Sequence, residues 1–226
     1  MEEINCISCI IKSTAAGILG EKELEVMEDN SAKVSFKKGE VIFKQGSFSS
    51  NIIYLRTGLV KLHMAGHQKE QIIKIVKAPA YLGIPTTFGD KINNYSATAL
   101  EETNACFIDI KTFKQLIHKN GEFAYELIIN MCKNELTNFH NWVNLSQKHL
   151  NGRMADTVLF FSRDIYRKDE FELPLRRSEL ADLICTSRET VSRILTDFYK
   201  EKILSVKGRE IKILKKKLLE QISKMG

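Results

Sequence analysis

The sequence predicts an α+β chain in three successive parts: an N-terminal β-roll, a long helix, and a C-terminal pair of short helices backed by a two-stranded wing. Three observations carry this reading. Between Lys33 and Ile110, short β-branched and aromatic runs recur with glycines between them, the texture of a small all-β barrel or sandwich. Between Gly121 and Leu150 there is no proline or internal glycine, and apolar residues recur at alternating steps of three and four. Between Leu175 and Leu204, two helical patterns meet at a short turn, with serines placed to cap them. The expected domains are residues 1–118 for an N-terminal helix and the β-roll, 119–150 for the long helix, and 151–226 for the C-terminal unit.

Taken in order, residues 14–30 read as a short helix with Leu19, Leu24 and Met27 on one face. The strand runs are VSF at 34–36, EVIF at 40–43, NIIYL at 51–55, GLVKLH at 58–63, QIIKIV at 71–76 and ACFIDI at 105–110. On the long helix, Ile129, Cys132, Leu136, Phe139 and Val143 form an a/d seam. A second stripe, Phe123, Leu127, Met131, Trp142 and Leu145, lies on another side. Two apolar faces need two neighbours: the chain's own β-roll, and either the same helix of a second copy about a two-fold axis or another part of the same chain. Asn151-Gly152 is expected to break this helix, and a further helix is expected over 153–166. RKDEFE at 167–172 reads as a charged connector, and Pro174 opens the next unit.

Composition narrows the function classes. The 226 residues are 43% apolar and 27% charged, a globular composition in which three prolines and twelve glycines exclude a collagen-like chain. No apolar run is long enough to span a membrane. The acidic N-terminus without a long apolar core is not a secretory signal, so a cytoplasmic location is expected. The net charge of +6 is uneven: residues 1–150 contribute +1 and residues 151–226 contribute +5. A basic module beside a neutral one points to a polyanion, most simply nucleic acid, or to a solvated basic surface. Enzyme signatures are missing, with no GxSxG, Walker loop or HExxH string and no clustered acid/base pair.

The most specific passage is LRRSELADLICTSRETVSRILTDFYKEKIL, residues 175–204. Ser178 is placed to cap its first helix, Glu179 adds charge to the opening turn, and Ala181 suits a close helix crossing. Cys185-Thr186 mark the turn, and Ser187 is a good cap for the second helix. Val191, Ile194, Leu195 and Phe198 would face the core, leaving Arg188, Glu189, Ser192 and Arg193 outward. This is helix-turn-helix geometry, in which the second helix enters the major groove of double-stranded DNA. Arginine matches guanine O6 and N7, glutamate accepts from cytosine N4, and serine can contact either. Behind the helices, ILSVKGREIKIL at 203–214 reads as the wing, with Lys207-Gly208-Arg209 at a tip where cations reach phosphates.

These residues resemble the family of the cyclic-AMP receptor protein and the fumarate–nitrate reduction regulator. SRETVSRIL and KGREIKI are similar to the family's recognition helix and wing. KKGEVIFKQGS…NIIYLRTGLVKL resembles the start of its jelly-roll-like, cyclic-nucleotide-binding-type domain, and SATALEETNACFIDI its end. The resemblance implies a homodimeric transcription regulator whose effector controls binding to inverted-repeat operators, with RNA polymerase as the protein partner. It implies that Arg188, Glu189 and Arg193 read bases, that Ser192 matches the fumarate–nitrate branch, and that Arg177, Ser178, Ser187, Lys207 and Arg209 contact phosphates. Half-sites with a GA core, centred roughly 34 Å apart, are expected. Cys185 departs from the glycine usual at the turn, at a cost of roughly 1 kcal/mol if the position needs a positive φ. A different class of function is an effector-binding module whose helical domain acts through protein partners; duplex binding separates the two.

The effector is less defined. In the family a Gly-Glu pair binds the ribose of a cyclic nucleotide and an arginine neutralises its phosphate. Here Ile84 follows Gly83, no arginine occurs between Arg56 and Arg153, and Lys91 stands at an unmatched position. A buried phosphate without a charged partner is costly, so cyclic AMP is not expected. The fumarate–nitrate branch holds an iron–sulfur cluster on three N-terminal cysteines and one at the end of the β-roll. Cys6 and Cys9 resemble two of the first set and Cys106 the remote ligand, but Ala15 stands where the third is expected. The readings left open are a cluster completed by a non-thiol ligand, zinc on Cys6, Cys9, Cys106 and a histidine, or Cys106 as a small buried hydrophobe. Haem is the last effector candidate. His63, His67, His118, His140 and His149 have no distinctive ligand spacing, and Phe139 and Trp142 read as packing.

Overall fold

The computed structural model describes residues 12–226 apart from residue 68. The chain divides into two compact units, one of residues up to 69 with Ile73–Glu135, the other of Glu70–Ile72 with Leu136–Gly226. The expected Cys6 and Cys9 ligands lie outside the described residues.

In the first unit, the helix expected over 14–30 is two: α1 (Thr14–Ile18) and α2 (Glu21–Asp29). The Glu23 carboxylate accepts from the Gly20 N–H at 2.9 Å and so starts a new helix where a continuous one was expected. Eight strands follow: β1 (Ser31–Phe36), β2 (Val41–Phe43), β3 (Asn51–Thr57), β4 (Leu59–Ala65), β5 (Glu70–Lys77), β6 (Ala80–Leu82), β7 (Ser96–Ala99) and β8 (Thr103–Asp109), with α3 (Ile84–Phe88) between β6 and β7. They make two four-stranded sheets, ordered β1-β8-β3-β6 and β2-β7-β4-β5. Side-chain alternation explains why β3 and β8 are buried on both faces. Ile53, Leu55 and Ala105 meet Ile42, Val60, Leu62 and Ala97 of the other sheet. Ile52, Tyr54, Cys106 and Ile108 point the other way, into a core with Ala15, Leu24 and Met27. That core continues through α4 (Ile110–Lys119), which Asp109 caps by accepting from the Lys111 and Thr112 N–H groups, to the start of α5 (Gly121–Gln147).

The long helix α5 buries Phe123 and Leu127. Of the rest of the second stripe, Met131 and Trp142 are exposed, Trp142 by 74%, and Leu145 is half-buried. Of the a/d seam, Ile129 is half-buried and Cys132, Leu136, Phe139 and Val143 are exposed.

The second unit begins differently from expectation. Asn151-Gly152 does not break the helix; both lie in the first turn of α6 (Leu150–Phe160), and the break falls at Lys148-His149. Arg153 Nε donates to the Lys148 carbonyl at 3.0 Å, and Lys148 Nζ pairs with Asp156 at 2.7 Å. Gly152 serves close approach instead: a Cβ there would stand 2.7 Å from Gly226 Cα at the end of α9 (Lys216–Met225). The helix expected over 153–166 ends as a π-helical stretch, Phe161–Tyr166. The connector at 167–172 is partly a strand, β9 (Glu170–Glu172). It turns the expected two-stranded wing into a three-stranded sheet, ordered β10 (Leu204–Lys207), β11 (Glu210–Ile213), β9. Phe171 is buried and stacks on Tyr166 and Phe161 at 5.4 and 6.5 Å, which fixes the strand to the unit's core.

Candidate nucleic-acid interface

The interface is built on α7 (Arg177–Ile184) and α8 (Arg188–Lys200). Ser178 is not the cap of α7 but an exposed residue of its first turn. The cap is Arg176, whose N–H donates to Glu179 Oε2 at 2.8 Å, so the glutamate three residues on does the closing. The helix stops at Cys185, which takes the left-handed conformation with φ 59° and ψ 57° and donates to the Ala181 carbonyl. Thr186 N–H reaches the same carbonyl at 2.9 Å. The turn therefore needs a positive φ and a cysteine supplies it.

Ser187 caps α8, its Oγ accepting from the Thr190 N–H at 3.2 Å. Val191, Ile194, Leu195 and Phe198 are buried, and Arg188, Glu189, Ser192 and Arg193 are exposed. Thus the four residues expected to read bases share the outward side of one helix, in its first two turns. The Glu189 carboxylate accepts from its own N–H and the Ser187 hydroxyl, which holds its pKa below the ordinary value and keeps it an acceptor. Ser192 Oγ donates to the Arg188 carbonyl at 3.0 Å.

The wing adds features that sequence reasoning missed. Arg177 is half-buried, and its Nη2 donates to the Gly208 carbonyl at 2.9 Å, tying the start of α7 to the wing turn. Burial lowers the pKa of this guanidinium. Gly208 has φ 63°, so the turn between β10 and β11 favours glycine. Arg209 pairs with Glu172 of β9 at 3.1 Å, Lys212 with Glu170 at 2.8 Å, and Lys216 with Asp169 at 2.6 Å. Lys207 is exposed at the tip. The one sequence signal for this arrangement is the polar–apolar–polar period of Glu170, Phe171 and Glu172.

On the β-roll, Gly83 and Ile84 open α3. Hydrogen bonds close this segment and tie it to Ser47 and Ser49. Ser49 and Thr87 hydroxyls lie 2.6 Å apart, Thr86 Oγ1 donates to the Gly83 carbonyl at 3.0 Å, and Asn93 Nδ2 donates to Ser47 Oγ at 3.0 Å. No lysine or arginine is buried among the described residues. The segment carries neither the glutamate nor the arginine that the resemblance calls for, and its one cation, Lys91, is exposed, so these residues supply no buried charged partner for a cyclic phosphate. A four-thiolate cluster does not fit either. The core cluster that contains Cys106 also contains Ala15, at the third expected ligand position, and Ala16 and Leu19. Among the described residues, no three His, Cys, Asp or Glu groups are placed to hold a metal ion. His63 is buried with Nε2 2.8 Å from Thr98 Oγ1, a structural position. Among the described residues no helix is long and apolar enough to cross a membrane.

Comparison with known proteins agrees with this architecture. Residues 33–120 match the family model for the cyclic nucleotide-binding domain, and residues 152–222 match the Crp-like helix-turn-helix domain. The fumarate and nitrate reduction regulatory protein of Vibrio cholerae is 29% identical over 219 residues, covering 93% of this chain and 87% of that protein. The transcriptional activator protein FnrA of Stutzerimonas stutzeri is 24% identical over 218 residues, covering 94% and 89%. Among solved structures, FixK2 from Bradyrhizobium japonicum superposes with a TM-score of 0.75 at 20% identity, covering 85% of this chain and 96% of that one. A crp/fnr-family transcriptional regulator from Eubacterium rectale gives 0.77 at 17% identity, covering 94% and 98%. These relatives are regulators and not enzymes. With a cyclic-nucleotide-type roll, a long helix and a Crp-like helix-turn-helix in that order, and regulators as relatives along nearly its whole length, the chain belongs to the CRP/FNR family of DNA-binding transcriptional regulators.

Proposed function

We propose that the chain acts as a cytoplasmic homodimer that binds double-stranded DNA at an inverted repeat and controls transcription there through RNA polymerase. The observation that carries the proposal is the outward side of α8, with Arg188, Glu189, Ser192 and Arg193 exposed over a fully apolar inner face. Arg188 and Arg193 read guanines, Glu189 a cytosine N4 and Ser192 either, and the family resemblance implies half-sites with a GA core. Arg177, Ser178, Ser187, Lys207 and Arg209 position the helix on phosphates and read no sequence.

The dimer rests on α5. Leu136, Phe139 and Val143 of the a/d seam are each about half exposed, and such a stripe in water is unfavourable until a partner covers it. The same face of a second copy is the simplest cover, and a two-fold axis through it pairs two recognition helices with two half-sites. Control follows as a population shift, in which a small molecule or a redox signal favours one arrangement of the paired helices. The closed Gly83–Asn93 segment argues that this effector is not a cyclic nucleotide.

Equilibrium binding to a duplex selected from a random pool, compared with scrambled duplex, tests the assignment. Arg193→Ala should cost about 1–3 kcal/mol on the selected site and relax base choice there. Lys207→Ala should weaken both duplexes alike and flatten the salt dependence. Equal losses on both duplexes for Arg193→Ala would remove it from the base-reading set.

A further inference from the structure

Resting on that DNA-binding reading, we propose that Glu172 is a specificity-determining residue: it holds the wing-tip Arg209 away from DNA phosphates until α8 is seated on its own sequence. The charged segment at 167–172 contributes a strand to the wing. β9 pairs with β11 in the register Glu210↔Glu172, Ile211↔Phe171 and Lys212↔Glu170. Buried Phe171 anchors it, and Leu173 N–H donates to the Arg209 carbonyl at 2.8 Å. Glu172 is thereby fixed beside the wing turn, with its carboxylate 3.1 Å from the Arg209 guanidinium.

Both side chains of this pair are about half exposed, 47% and 58%, so solvent weakens the pair and a phosphate can replace the carboxylate. A carboxylate and a phosphate then compete for one guanidinium fork. On random duplex the wing approaches loosely and Glu172 keeps Arg209. On a matched site the contacts of α8 bring the backbone close, and the phosphate takes Arg209. Non-specific binding grows with every cation that releases counterions, so withholding one lowers it selectively.

Purified full-length protein and its Glu172→Gln, Arg209→Ala and double variants are titrated onto a duplex selected by the unmodified protein and onto scrambled duplex, across a salt series. Glutamine keeps the size of the side chain and removes its charge. Glu172→Gln should tighten scrambled-duplex binding about threefold and steepen its log–log salt slope by about 0.9, with a smaller gain on the selected duplex. In the Arg209→Ala background the Glu172→Gln gain should vanish. Equal gains on both duplexes, or a gain that persists without Arg209, would overturn the role and leave Glu172 as a general repulsive charge. If the unmodified protein binds neither duplex, the DNA-binding reading itself falls, and this inference with it.

Discussion

Cys185 shows how a single residue can work against its own motif and still leave the motif in place. Its φ of 59° is one that a side chain adopts at a cost, yet the turn it makes still presents Ala181's carbonyl to two N–H donors. Cys185→Gly should therefore raise stability by about 0.5–1 kcal/mol, seen as a higher urea midpoint at unchanged slope. A lower midpoint would mean the thiol makes contacts that outweigh the strain. At this scale the outward set on α8 was legible in the sequence, because burying Val191, Ile194, Leu195 and Phe198 leaves one side for everything else. The partners of Arg177 and Arg209 were not legible. A carbonyl at Gly208 and a carboxylate at Glu172 are brought near only by the folded wing, and no local pattern announces them.

Among elements, α5 separates two kinds of burial. Phe123 and Leu127 belong to the core of the first unit, whereas Leu136, Phe139 and Val143 are left in water by one chain alone. Leu136→Lys should convert a dimer into a monomer in sedimentation velocity and lower affinity for a two-half-site duplex by about a hundredfold or more. An unchanged dimer would move the interface elsewhere. The longer strands could be read from their runs of Ile, Val and Tyr. Strands β6, β7 and β9 are about as short as β2 but carry only one β-branched or aromatic residue each, so no run stands out. Gly152 misled for a different reason. Glycine marks a helix break or a close contact equally well, and only the packing of α9 against it tells which.

At the scale of the whole molecule, we propose that two copies of one basic C-terminal unit are held so that their α8 helices address one face of a duplex together. The first unit contributes a roll whose Gly83–Asn93 segment is tied together, and to Ser47 and Ser49, by hydrogen bonds. The second unit contributes the charge: most of the chain's +6 lies beyond residue 150, and Glu170 and Glu172 of β9 moderate it at the wing. The most direct measurement is affinity as a function of half-site separation. A selected inverted repeat should lose affinity by about a hundredfold when about five base pairs are inserted between its halves, and recover much of it when about ten are inserted. Affinity indifferent to the insertion would mean that each helix binds alone, and would contradict the account.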